Sequence, residues 1–235
     1  MKILAFDSTA KVASCAVIDD GRLLSVYNID NGLTQSELLL PMAEDILKSL
    51  GLKFSDIDAY AVSVGPGSFT GVRIGVSLVK GLAFSRNIPC IEVSTLDALA
   101  ENLSGLEGIL VPCMDARRAQ VYNALFSCSS GEITRLTDDR AISLAELAEE
   151  LKAYPEKRIY LSGDGYGVAK AALDKAGIIT ENTPELLINE NAGSVAKIAY
   201  RKCLSGEYVS DSEISPTYLR LPQAERERLE RLEKN

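Results

Sequence analysis

The chain has 235 residues, 46% of them apolar and 25% charged, enough for one large domain or two small ones that each bury a core. Its formal net charge is −8, from 25 basic and 33 acidic side chains. That argues against a large direct nucleic-acid footprint and leaves open work on nucleic acid through a basic partner. It has no histidine, which excludes a Ser-His-Asp triad, a Cys-His dyad and a histidine-based zinc site.

Three strands are expected first, at Lys2–Asp7, Val12–Ile18 and Leu23–Ile29, with Asp20-Gly21 as a hairpin turn between the last two. Thr34-Gln35-Ser36-Glu37 is a capping-box pattern opening a helix to about Leu50, closed by Gly51. Leu39, Met42, Ala43, Ile46 and Leu50 share one face of that helix. Leu40 and Leu47 widen the stripe to roughly 160°, where one core needs only ~100°. The excess suggests a second surface.

The strand-like run Ala59–Val64 breaks at Gly65-Pro66-Gly67, and Ser68 is placed to cap a helix reaching about Ser85. Gly67, Gly71 and Gly75 recur every four residues and line one side. Glycine inside a helix costs ~1 kcal/mol relative to alanine. Keeping Gly71, Gly75 and Gly81 therefore implies close approach of another backbone, either within the domain or from another subunit. The spacing fits neither a P-loop, since Lys80 lies about three turns in, nor a dinucleotide fingerprint. An anion at the helix N-terminus stays open.

Strand Pro89–Val93 and a helix capped by Ser94 to about Leu103 follow. Near Gly108 the pattern restarts: Leu110–Met114, Asp115 and Val121–Phe126 repeat the opening strand, aspartate and returning strand at an offset of 108 residues. Ser143-Leu144-Ala145-Glu146 is a second capping box, for a helix to about Ala153. Ile159–Ser162 reads as a strand ending in Gly163-Asp164-Gly165, followed by helical sequence to about Ala176 and a further helix at Ala192–Leu204. The order predicts a duplicated α/β fold with mixed sheets, divided into lobes at 1–105 and 106–220. A charged tail, 221–235, carries Glu227–Arg231 and Glu230–Lys234 pairs that support an exposed helix. The five cysteines form no CxxC and fall mostly in apolar runs, as expected of buried, reduced thiols. The apolar start Ile3–Phe6 stops at Asp7, so no signal peptide is expected, and no run approaches the ~18 residues of a membrane span.

The duplicated order, with aspartate ending the first strand, resembles the actin, sugar-kinase and heat-shock-chaperone ATPase superfamily, an RNase H-like fold. The phrases ILAFDST, TQSELLLP, GPGSFTGVRIGVSLVKGLA and MDARRAQVYNA, the Gly163-Asp164-Gly165 turn and Pro216-Thr217-Tyr218-Leu219-Arg220 resemble the TsaB (YeaZ) family. That family belongs to the machinery that makes threonylcarbamoyladenosine in bacterial tRNA. The likeness runs from Met1 to Arg220; Gln35 departs from it, standing where members often carry histidine.

The resemblance implies a non-catalytic, cytoplasmic subunit with no cofactor of its own and no membrane role. It would bind TsaD, which performs the transfer to tRNA, and be joined by the ATPase TsaE. Without TsaD it would form a homodimer, and it would meet tRNA only through the complex. ATP and a divalent metal would act on the partners. The interface is then expected at Leu39, Leu40, Ala43, Leu47, Phe69, Gly71, Val72, Gly75 and Val79, with the glycine side facing outward. A vestigial nucleotide cleft is expected at Asp7, Ser8, Thr9, Asp115, Arg117, Arg118, Gly163, Asp164 and Gly165. There, side chains replace the glycines that would let backbone N–H groups reach phosphate. Asp7 and Asp115 either hold magnesium across the cleft or make turn hydrogen bonds. Arg117-Arg118 either contact a phosphate or acidic partner or are solvated. Tyr218-Leu219-Arg220 is expected to anchor the tail on the body. The alternative function is a stand-alone ATPase or small-molecule kinase of the same superfamily.

Overall fold

The computed structural model describes residues 1–84 and 86–220; the expected tail helix at 222–235 lies outside them. The chain opens with β1 (Lys2–Asp7), β2 (Ala13–Asp19) and β3 (Arg22–Ile29), a meander whose second turn carries Gly21 at φ +79°. Helix α1 (Gln35–Leu50) starts at Thr34, whose N–H and hydroxyl both donate to Glu37 Oε2, at 3.0 and 2.7 Å. Gly51, at φ +68°, ends it in the left-handed conformation. Next come β4 (Ala59–Ser63), α2 (Phe69–Phe84), β5 (Cys90–Val93) and α3 (Thr95–Asn102). The first sheet has the order β3-β2-β1-β4-β5, with β4 and β5 parallel to β1.

Alternation along these strands feeds two cores. Leu4, Phe6, Cys15, Val17, Tyr60 and Val62 face α1 and α2. Ile3, Ala5, Ala16, Ile18, Ala59 and Ala61 face α6 (Ala192–Leu204), which packs through Ala192, Val195, Ala196 and Ala199.

The second half repeats the scheme with breaks. Strand β6 (Gly108–Asp115) pairs in parallel with β11 (Ile159–Ser162) on one edge. On the other edge β7 (Gln120–Asn123) and β8 (Phe126–Ser129) pair with its two ends in one continuous antiparallel register, Asp115↔Val121 through Gly108↔Cys128. Together they stand where β2 stands beside β1, interrupted at Ala124-Leu125. β9 (Glu132–Arg135) and β10 (Arg140–Ser143) are likewise a divided third strand, one pairing with β8 and the other with β7. Helices α4 (Leu144–Leu151) and α5 (Tyr166–Lys175) cover one face of this sheet.

The boundary expected at 105/106 separates the strands but not their helical cover. α3, from the first half, packs Leu96, Leu99 and Leu103 against Leu110, Met114 and Phe126 of the second sheet. α6, from the second half, covers the first sheet. The expected lobes thus exchange a helix, and α3 and α6 touch between the sheets. Among the described residues no helix is long and apolar enough to cross a membrane.

Candidate functional site

Two places merit attention: the cleft where β1, β6 and β11 end, and a groove between α1 and α2. In the cleft Asp7 is fully buried and accepts from Thr9 N–H (2.9 Å), Thr9 Oγ1 (2.7 Å) and Ser63 Oγ (2.5 Å). Ser8 and Thr9 are also fully buried. Asp115 Oδ1 accepts from Arg117 N–H at 2.8 Å, and its carboxylate pairs with the Arg117 guanidinium at 3.3 Å. Both aspartates therefore make turn hydrogen bonds, and among the described residues no acid, cysteine or histidine cluster can hold a metal. Asp164 Oδ1 accepts from Asp115 N–H at 2.8 Å, tying the β11 turn to β6. A side chain on Gly163 or Gly165 would collide with the Cys113 carbonyl, so these glycines serve close approach to β6.

A fourth acid, Glu190, was not legible in the sequence, where it stands just before the expected helix at Ala192–Leu204. It is 2% exposed, and its Oε1 has no hydrogen-bond partner among the described residues. Burial first, then the charge of Asp7, pushes its carboxyl up to about 8. Burial likewise raises Asp7 and Asp164. Asp7 and Glu190 are thus poorly solvated carboxyls on the cleft floor, while Asp115 and Asp164 stand closer to solvent. The β1–β2 turn beside that floor, Ser8-Thr9, is packed inside the protein.

What fills the space is α2. Ser68 N–H donates to the Thr9 carbonyl at 2.7 Å, and Ser8 Oγ donates to the Gly71 carbonyl at 2.8 Å. A Cβ on Gly67 would lie 2.5 Å from the Thr9 carbonyl oxygen, and one on Gly71 would overlap the Ser8 carbonyl oxygen. On Gly75 it would lie 2.5 Å from Ser8 Oγ and 3.0 Å from Val62. The expectation that the Gly71/Gly75 side faces a partner is therefore corrected: these glycines admit the Ser8-Thr9 turn of the same lobe.

The expected interface is corrected in the same sense. Ala43, Leu47, Val72 and Val79 belong to the first core. The α1 stripe is wide because it packs on both the sheet and α2. Leu40 and Phe69 remain outside, at 39% and 37% exposure. With Leu39 they line a groove of about 580 Å³, completed by Gln35, Ser36, Thr70, Arg73, Ile74, Ser77 and Leu78. Sequence reasoning missed Arg73, Ile74 and Leu78. The available signal was the helical wheel, where Ile74 and Leu78 lie opposite the buried Val72, Val76 and Val79 and Arg73 lies at their flank. At the groove's end the Arg73 guanidinium lies 3.9 Å from the Phe69 ring centroid.

The model of a family described as TsaD, tRNA N6-adenosine threonylcarbamoyltransferase, matches residues 34–227. The tRNA threonylcarbamoyladenosine biosynthesis protein TsaB of Escherichia coli is 30% identical over 94% of this chain and 95% of its own. The Bacillus subtilis protein of the same name is 34% identical over 70% of this chain and 72% of its own. A solved Pseudomonas aeruginosa structure, described as similar to the peptidase YeaZ, superposes with a TM-score of 0.78 at 27% identity. It covers 93% of this chain and 99% of that one.

Proposed function

The chain belongs to the TsaB family, within the wider group matched by the TsaD model, and from that premise we propose that it is a non-catalytic subunit of the tRNA threonylcarbamoyladenosine machinery. In this reading it docks a TsaD-type subunit in the α1–α2 groove and supports threonylcarbamoyl transfer to tRNA by that partner. TsaE joins the assembly, and ATP and a divalent metal act on the partners.

The observation that carries the reading is the pairing of an open apolar groove with a filled cleft. The groove walls expose Leu40 and Phe69, large side chains that a partner would remove from water. A partner of the same fold would offer an equivalent helix pair, so the two chains can meet much as the halves of an isologous dimer do. The same logic gives a homodimer when the partner is absent. A peptidase role has no support from the residues, since the chain lacks histidine and Asp7 and Glu190 are buried.

Leu40→Asp tests this, because Leu40 is exposed and a charge there leaves the core intact. Capture of TsaD and formation of modified tRNA in a reconstituted system should both fall at least tenfold, with the melting temperature unchanged. Normal capture by the variant would place the docking surface elsewhere.

A further inference from the structure

The segment Ile214–Arg220 crosses from one lobe to the other along a fixed path. Ile214 is fully buried in the first core, and Ser215 N–H donates to Glu92 Oε1 at 2.8 Å. Thr217 N–H donates to the Val64 carbonyl at 2.8 Å. Its own carbonyl oxygen lies 2.7 Å from where a Cβ on Gly65 would stand. Gly65, at φ +111°, therefore meets the segment backbone to backbone.

Beyond Thr217 the segment makes two unlike contacts. The Tyr218 ring stacks on Phe69 with centroids 5.1 Å apart, and its hydroxyl accepts from Arg73 Nε at 2.7 Å. Two residues on, Arg220 donates to the Ala116 carbonyl at 3.1 Å and to Gln120 Oε1, and lies over the Tyr122 ring at 5.5 Å. Ala116–Gln120 is the β6–β7 turn, where Arg117, Arg118 and Ala119 hold φ of +64°, +54° and +56°. Left-handed backbone at non-glycine residues is costly and persists only where surrounding contacts fix it. Phe69 and Arg73, at the other end, line the groove.

We propose that Ile214–Arg220 is a strap coupling the α1–α2 groove to the β6–β7 turn, so that a partner seated on Phe69 and Arg73 also fixes the turn at the mouth of the cleft. The partner half of this rests on the groove reading above; the coupling itself is a property of the free chain. Arg73 engages Tyr218 through Nε alone, and its Nη groups have no hydrogen-bond partner among the described residues. A carboxylate on the docking subunit suits them in charge and geometry. Holding Arg73 holds Tyr218, and Tyr218 positions Arg220. By linkage, loosening the turn must weaken docking by the same factor that docking tightens the turn.

Hydrogen exchange at the Ala116 and Gln120 amides, which bond to Gln120 and Arg117 carbonyls within the turn, reads the coupling. In the free chain Tyr218→Ala should speed both at least tenfold, although Tyr218 does not touch the turn. Amides of the β8–β9 hairpin should be unchanged. Arg73→Ala, on an exposed side chain, should act in the same direction and serves if Tyr218→Ala misfolds. If only Arg220→Ala moves these amides, the coupling is wrong. Adding TsaD should slow them at least threefold in the wild type and not in Arg220→Ala. Slowing that survives in Arg220→Ala means direct contact with the turn and overturns the strap as the route. Binding without any slowing overturns the partner half. If TsaD fails to bind the wild type, the groove reading falls, and the free-chain comparison still decides the strap.

Discussion

Glu190 carries a testable consequence of the cleft's chemistry. Its neighbours Asp7 and Asp164 are acids raised by burial, and the nearby cations Lys11 and Arg117 act on Asp164 rather than on Glu190. Its carboxyl is held at about 8 against an ordinary 4.5. The folded state therefore keeps a proton that the unfolded state releases. The stability this contributes is fully present below about pH 4.5 and is lost as pH rises to about 8. Glu190→Gln removes the titration. Its gain over wild type should be near zero at pH 4.5 and grow to on the order of 2–4 kcal/mol by pH 8, in chemical denaturation at several pH values. A gain independent of pH would mean that Glu190 does not titrate in this window. Gly71 gives a second prediction. A methyl there meets the Ser8 backbone, which cannot swing aside, so Gly71→Ala should lower stability by about 1–3 kcal/mol or more. The sequence made Gly71 legible as a point of close approach through its helical cost. It did not say whose backbone approaches, because Ser8 lies 63 residues away and only the tertiary fold brings it there. Glu190 left no such trace, since burial of an acid depends on what packs around it.

At the scale of elements, the capping boxes at Thr34 and Ser143, the Asp20-Gly21 turn and the strand ending in Asp115 were all legible, because each rests on short-range chemistry. The divided second and third strands of the second sheet were not. Ala124-Leu125 interrupts β7–β8 inside an apolar run, with no glycine or proline to mark the break. Nor did the sequence place α3 and α6 on each other's sheets, since an apolar helix face does not name its partner. α6 meets the first sheet through alanines: Ala192, Ala196 and Ala199 are fully buried against Ala5, Ala16 and Ala61. Small residues face each other at these positions, so a longer side chain there has to displace its neighbours. Ala196→Leu should therefore overpack this layer and cost about 1–3 kcal/mol. Ala196→Ser, close to alanine in size, should cost less. Equal melting temperatures for wild type and Ala196→Leu would show that the layer has slack.

For the molecule as a whole, the filled cleft and the overall charge point the same way. The superfamily's resemblance raises the possibility of ATP turnover, while the buried Ser8-Thr9 turn and the carboxyl floor oppose a triphosphate. The purified chain should hydrolyse ATP at no more than background rate, and a steady turnover abolished by Asp7→Asn would count against a purely supporting role. Transfer RNA is the sterner test, because the proposed pathway acts on it. The net charge of −8 repels a polyanion, and α1 exposes Glu37, Glu44 and Asp45. Affinity for nucleic acid depends on lysines and arginines that release counterions from phosphates. This chain gathers few: the exposed Arg117 and Arg118 share one turn, and Arg117 is paired with Asp115. Alone, it should bind tRNA no more tightly than ~0.1 mM, the weak end of non-specific association. Bound to its partner, it should add little to the salt dependence that the partner already shows. Mobility shifts at several salt concentrations measure both. Micromolar binding by the isolated chain, with a steep salt slope lost in Arg117→Ala/Arg118→Ala, would show instead that the β6–β7 turn touches the RNA itself.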